Sequence, residues 1–270
     1  MTSEAPSTEL INRKTWSRPS TVHWFRKLEG FTDPGERAAL GCVVAEARGE
    51  PILDLGVGGG RTVPLLRAIS WNYVAIDYTP ELVAVCKQKY PDVHVMQGDA
   101  RDLSRFADRS FQLVVFSFNG IDAVDHAGRN RILKEAHRVL RDGGIFLFSG
   151  HNREGPGNGE KLSFGLYFTR NPFKLVARVA RAALHAARTI HNHLRYSKLD
   201  YEGDGYSIKN AAAHDHGILM HYTSLESQLG DLENAGFRPG AAVFGNLNGR
   251  RISIGDDVSR EWWFHFLARK

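Results

Sequence analysis

The stretch Pro51–Arg61, P-I-L-D-L-G-V-G-G-G-R, constrains this chain most. Pro51 punctuates it, and Ile52 to Leu55 form the short apolar run that a buried strand needs. Gly56, Gly58, Gly59 and Gly60 follow, and Arg61-Thr62-Val63-Pro64-Leu65-Leu66 opens a helix. A strand, a glycine turn and a helix make the front half of a nucleotide-binding βαβ unit, because residues without side chains let the backbone turn sharply and lie against a ligand. A dinucleotide fingerprint places glycines at its first, third and sixth positions. Counted from Gly56 the sixth position is Arg61, and counted from Gly58 it is Val63, so neither register suits a pyrophosphate. No Gly-Lys-Ser/Thr follows, which excludes a P-loop.

What does match is D-x-G-x-G-x-G, formed by Asp54, Gly56, Gly58 and Gly60. This arrangement resembles the first motif of class I S-adenosylmethionine methyltransferases. The resemblance implies an α/β Rossmann-like sheet of order 3-2-1-4-5-7-6 with helices on both faces, S-adenosylmethionine as cofactor, and those four residues beside it. The second strand, Asn72 to Asp77, ends in a carboxylate about 20 residues after the turn, where an acid can accept hydrogen bonds from both ribose hydroxyls. Tyr78 is placed to pack on the adenosine. A helix from Thr79-Pro80-Glu81 to near Tyr90 and a third strand, Pro91 to Met96, lead to Gly98-Asp99-Ala100. This triplet resembles the family's adenine site, with the Asp99 carboxylate taking the exocyclic amine and the Ala100 amide contacting the ring. After the fourth strand, Phe111 to Ser117, family members that methylate base amines carry Asp/Asn-Pro-Pro-Tyr/Phe. Ser117-Phe118-Asn119-Gly120 stands here instead, which argues against nucleobase amino methylation. Phe118 can offer its ring to the cationic sulfonium. A helix over His126–Leu140 and R-V-L-R-x-G-G before a fifth strand, Ile145 to Ser149, extend the resemblance. It is strong over residues 50–150 and weak over 218–270.

The remainder divides into a tail with cap helices (1–48), the cofactor-binding core (49–150), an inserted helical substrate cap (151–217) and the rest of the core (218–270). Residues 1 to about 12 read as disordered. Trp16, Trp24 and Phe25 follow in a basic, aromatic stretch, where Trp16 reads as an edge-packing aromatic, with a place facing the sulfonium or the adenine as the alternative. Asp33-Pro34-Gly35-Glu36 reads as an N-cap, a first-turn proline and a Glu36 that reaches back as in a capping box. In the insertion, Asn171-Pro172 starts a helix to about Tyr196. Lys174, Arg178, Arg181, His185, Arg188, Asn192 and Arg195 fall on one stripe about 100° wide, opposite Leu175, Val176, Val179, Ala183, Ala187, Ile190 and Leu194. The stripe is either a solvated face or a face for something anionic: an acidic substrate, a lipid surface or a nucleic acid. Tyr201–Tyr206 reads as a loop, and residues 241–245 and 262–268 as a hairpin.

With 42% apolar and 24% charged residues in 270, the composition is that of an ordinary globular protein. No apolar run approaches the roughly 20 residues of a membrane span. The first residues lack a signal-peptide core. Cys42 and Cys86, both in helical segments, read as buried thiols, which suits a reducing cytoplasm. Methyl transfer requires an aligned nucleophile, and an oxygen nucleophile also requires a base. His151, at the end of the fifth strand, is the first candidate; His214 and His216 come second. The fifth strand ends in Gly-His-Asn rather than the paired acids of metal-assisted relatives, so no metal is expected. The reading is O-methylation of a small-molecule, natural-product or sugar acceptor, which could be anionic, with peripheral membrane contact open to the basic helix. The alternatives are carbon or nitrogen methylation of a small molecule, an RNA methyltransferase using the basic helix, which the missing proline motif disfavours, and a non-catalytic cofactor-binding protein.

Overall fold

The computed structural model describes residues 7–162 and 172–270. Helices α1 (Thr8–Trp16), α2 (Pro19–Lys27) and α3 (Pro34–Ala47) precede strand β1 (Ile52–Leu55). Next come α4 (Val63–Arg67), β2 (Tyr73–Asp77), α5 (Pro80–Lys89), β3 (His94–Gln97), β4 (Phe111–Phe116), α6 (His126–Val139) and β5 (Leu140–Asn152). After α7 (Pro172–Tyr196) the chain runs through β6 (Tyr201–Glu202), β7 (Tyr206–Ala211), the short turn α8 (Ala213–His216) and β8 (Ile218–Thr223). It closes with α9 (Leu225–Asn234), β9 (Ala242–Gly245), β10 (Arg251–Ile252) and β11 (Trp263–Arg269).

The sheet order is β3-β2-β1-β4-β5-β11-β9-β10. The first five strands are parallel, and β11 enters antiparallel between β5 and β9. This is the expected 3-2-1-4-5-7-6 order, with β11 as seventh strand, β9 as sixth and the short β10 added at the edge. Alternation places Leu53, Val114, Phe146 and Phe148 in the core on one face, and Ile52, Leu113, Ile145 and Leu147 in the core on the other. Buried α6 and α9 residues share the first of these cores, and buried α3, α4 and α5 residues share the second. A sheet covered on both faces brings its parallel strand ends, and the loops after them, to one edge.

Several expectations need correction. Residues 8–12, expected to be disordered, belong to the helix Thr8–Trp16. Asn12 is buried; its amide donates to the carbonyls of Ala123 (2.8 Å) and Leu219 (2.7 Å), and its oxygen accepts the Leu219 N–H. These bonds span more than a hundred residues of sequence, so no local pattern announces them. Strand β5 runs well beyond 145–149 because its far end finds a partner: His151 and Asn152 pair in parallel with Tyr222 and Thr223 of β8. The inserted cap is therefore not helical throughout. Tyr201–Tyr206 is no simple loop, since β6, β7 and β8 form an antiparallel ribbon attached to β5. The Tyr206 ring stacks between His126 (4.0 Å) and His221 (4.9 Å) and fastens this ribbon to α6. Cys86 is buried but Cys42 is exposed.

The long helix also packs differently. Its inward residues are Ala182, Ala186, Thr189, Asn192 and Tyr196, whereas Val176, Val179, Leu184, Ile190 and Leu194 are exposed. The wheel separated apolar from basic residues correctly, but the surface available to the helix accepts a third, small-residue face. Asn171, expected as its N-cap, lies outside the described residues.

Candidate active site

The glycine turn takes its shape from backbone angles that side chains disfavour: Gly58 has φ +56°. Its N–H donates to Asp77 Oδ2 (2.9 Å), and Thr79 N–H donates to Asp77 Oδ1 (2.8 Å). The acid at the end of β2 thus clamps the turn after β1. Burial raises the Asp77 pKa, while the Thr79 and Gly58 hydrogen bonds oppose the rise. Asp54, at the next strand over, accepts from Thr62 Oγ1 (2.5 Å) and the Tyr73 hydroxyl (2.6 Å). Burial pushes its pKa up to about 6 against those two hydrogen bonds. Gly59 has a different role: a Cβ there would stand 2.4 Å from the Phe25 carbonyl oxygen, because α2 lies directly on the turn.

A cleft opens above these residues, with about 850 Å³ of empty space including its mouth. That lies within the range of small-molecule and cofactor sites. Asp54, Gly56, Gly58, Asp77, Tyr78, Ala100 and Phe118 line it. Gly60 is not in the wall; its Cα faces Tyr90 and Cys86. Asp99 lies in an adjoining hollow, bonded to Arg101 (2.7 Å), which also reaches Glu9 (3.1 Å). Burial works against the Asp99 carboxylate, yet the Arg101 hydrogen bonds and charge hold it below the usual range. Trp16 lines the cleft and meets Tyr78 edge to face at 5.7 Å. Three buried atoms of the wall, Tyr78 OH, Thr79 Oγ1 and Asn119 Oδ1, have no hydrogen-bond partner among the described residues. Unpaired buried polar atoms are costly, so the wall suits a ligand with hydroxyl and amine groups. An adenosine bearing an amino-acid chain meets that requirement.

At the mouth, Phe118 and Asn119 are consecutive non-glycine residues at φ +56° and +57°, a strained pair of the kind found at functional sites. The Phe118 ring stacks near Trp24 (6.4 Å), meets Phe31 edge to face (5.8 Å) and carries the Arg61 guanidinium at 5.2 Å. Arg61 is itself buried and paired in two bonds with Glu36 (2.8 and 2.9 Å). It also donates to Phe31 O and Ser117 Oγ, and Ser117 bonds Glu36. Glu36 therefore does not reach back to cap its own helix, although the Asp33 carboxylate does accept the Glu36 N–H (2.8 Å). A buried arginine recruits the free carboxylate more strongly than an exposed N–H does.

His151 Nδ1 is 2.9 Å from Asp122 Oδ2, which also accepts the His151 N–H at 2.6 Å. Asp122 is fully buried and its other oxygen accepts from Arg129 Nε (3.0 Å). With Nδ1–H donating to Asp122, Nε2 carries the lone pair, and it faces Asn119 Nδ2 (3.3 Å) of the cleft wall. His214 rests on Phe25 (6.3 Å) and Trp24 (5.8 Å), and burial lowers its pKa. His216 is buried outside the cleft, bonded to Asn210 (3.2 Å), with its pKa likewise lowered by burial. Among the described residues no cluster of three or more His, Cys, Asp or Glu is gathered as metal ligands would be. The Arg61–Glu36 and Asp122–Arg129 pairs were not anticipated. Their partners lie 25 and 7 residues apart, and nothing in the spacing marks them.

The strand order, the glycine turn and the acid clamping it define a class I, Rossmann-like methyltransferase fold. Residues 52–144 match the methyltransferase domain family. A probable S-adenosylmethionine-dependent methyltransferase of Mycolicibacterium smegmatis is 30% identical over 132 residues, covering 48% of this chain and 46% of that protein. A demethylmenaquinone methyltransferase of Chlorobaculum tepidum is 36% identical over 101 residues, 37% of this chain and 40% of the relative. The chain thus spans less than half the length of these curated relatives. Among solved structures, the 1,6-didemethyltoxoflavin-N1-methyltransferase of Burkholderia thailandensis, bound to S-adenosylhomocysteine, superposes with a TM-score of 0.58 at 13% identity, covering 98% of this chain and 91% of that one. That likeness is one of fold. Over residues 52–144 the chain thus matches a methyltransferase domain, and the relatives it resembles there include S-adenosylmethionine-dependent methyltransferases.

Proposed function

We propose that the protein transfers the methyl group of S-adenosylmethionine to an oxygen of a small, flat acceptor, with His151 as the base. The observation that carries this reading is the Arg129–Asp122–His151 chain, in which Asp122 lies against Nδ1 and Nε2 lies against Asn119 of the cleft wall. When bound, the cofactor supplies an electrophilic methyl carbon already activated by its sulfonium. Gly56, Gly58, Asp77, Tyr78 and Ala100 hold the adenosine half, and Asp54 faces the cleft beside them. Asp99 reaches the adenine amine on this reading only if its bond to Arg101 yields. The Trp24, Phe31 and Phe118 rings exclude water and align the acceptor. His151 Nε2 would take the proton of the acceptor hydroxyl as its oxygen receives the methyl group, with S-adenosylhomocysteine as the other product. Asp122 keeps Nδ1 protonated and steadies the imidazolium, as the third member of a triad does.

Arg61 is the cation of the described cleft wall, and Glu36 already matches its charge. The walls therefore favour an uncharged, aromatic-bodied acceptor over an anionic one. The test is incubation with 13C-methyl-labelled cofactor and a metabolite extract, followed by carbon NMR of the product. A methoxy resonance supports the reading. A nitrogen- or carbon-bound methyl, or full activity of His151→Ala, overturns it.

A further inference from the structure

Helix α7 is 25 residues long, about 37 Å at 1.5 Å per residue. It carries Lys174, Arg178, Arg181, Arg188 and Arg195 and no Asp or Glu. On a wheel of 100° per residue it has three faces. The inward face is made of small or polar residues and of Tyr196, which packs with Ile11 and Leu219. The second is the basic stripe. The third carries Val176, Val179, Leu184, Ile190 and Leu194, which span about 140° of the wheel. These five side chains are 70%, 45%, 69%, 43% and 62% exposed. Scattered exposed aliphatics are ordinary, but an apolar stripe along about five turns of helix requires an occupant.

We infer that α7 lies in the plane of an anionic membrane surface, with Val176, Val179, Leu184, Ile190 and Leu194 inserted among the acyl chains and with Arg188 and Arg195, the arginines of the basic stripe that border them on the wheel, at the phosphates. The arrangement is that of an interfacial helix: a lipid-facing stripe bordered by cations whose long stems reach up to the headgroups. Charge selects this occupant over a second copy of the chain, because a helix with cations and no acids repels its own copy and attracts an anionic surface. Asp215, from α8, meets His185 (3.1 Å) and Arg188 (3.5 Å), and so offsets part of the basic stripe from the protein side. The same turn carries His214, whose ring rests on Trp24 and Phe25 at the cleft. The membrane-facing helix is thus joined through one short turn to the aromatic mouth of the site, which suits an acceptor held in the bilayer.

Flotation of the full chain with phosphatidylglycerol/phosphatidylcholine vesicles, and with phosphatidylcholine alone, tests this. The wild type is expected to float with the anionic vesicles at least tenfold more than with neutral ones. The double variant Leu184→Glu/Leu194→Glu should lose at least tenfold of that binding. Both positions are solvent-exposed, so its circular dichroism and its affinity for S-adenosylhomocysteine should stay as in the wild type. The inference is overturned if the wild type does not float, or if the variant floats equally well. It is also overturned if the stripe instead mediates a dimer in sedimentation velocity, or if RNA is retained in a way that the two substitutions leave unchanged. The readout involves no methyl transfer, so its failure is distinct from failure of the O-methylation reading.

Discussion

Replacing Gly59 by alanine tests how the cofactor cleft is closed. An alanine Cβ would stand 2.4 Å from the Phe25 carbonyl oxygen, 2.8 Å from its carbon and 3.3 Å from the Arg26 nitrogen. All three are backbone atoms, so no rotamer change relieves the contact. Ordinary contact begins near 3.4 Å, and α2 must therefore retreat by about 1 Å. Overpacking of this kind costs about 1–3 kcal/mol. Of the two sides α2 should yield, because Thr21 is its one buried residue whereas the turn is clamped by Asp77. Phe25 and Leu28 then withdraw from the cleft wall, while the sheet is untouched. Calorimetric titration should show S-adenosylhomocysteine binding weakened about 10- to 100-fold, at 1.4 kcal/mol per tenfold, with only a small loss in Tm. Gly41→Ala is the control: nothing lies within 4 Å of a Cβ there, and α3 should gain up to about 1 kcal/mol. Unchanged cofactor affinity in Gly59→Ala would refute the placement of α2 on the turn.

Three further changes probe the same site. Asp77→Asn leaves one oxygen for two N–H donors and turns an amide toward the other, so cofactor affinity should drop at least tenfold and stability by about 1–3 kcal/mol, read by calorimetry and urea melts. Asp122→Ala strands the buried Arg129 charge, which should cost about 3–5 kcal/mol in a urea melt; in the milder Asp122→Asn, kcat should fall while cofactor affinity holds. Asp54 has a folded pKa of about 6 against 3.8 when unfolded, so the native state binds its proton more tightly. The wild type should therefore gain about 1–1.5 kcal/mol relative to Asp54→Asn between pH 7 and pH 5, where native Asp54 takes up a proton that the unfolded chain does not. Parallel stability profiles for the two proteins would refute the buried carboxylate's role.

The turn after β1 was legible residue by residue. Asp54, Gly56, Gly58 and Asp77 stand in the cleft wall where strand ends and a glycine turn put them, whereas Gly60 lies outside the wall and Asp99 in the adjoining hollow. His151 was legible only as a position at a strand end, because its partner Asp122 lies 29 residues away. Glu36 shows why local grammar misleads, since a correct N-cap box still lost its glutamate to Arg61.

What the amino-acid order determined alone is the short-range part: strands from alternation, the turn from missing side chains, helix starts from caps, and the two-sidedness of α7. These depend on neighbours a few residues apart, whose geometry is set by the backbone itself. Tertiary structure decided which face of α7 is covered, which of β5's ends gains a partner, and which buried charges meet. Those outcomes depend on surfaces assembled from distant segments, where burial of a charge or an apolar stripe is favourable only once the opposing group has arrived.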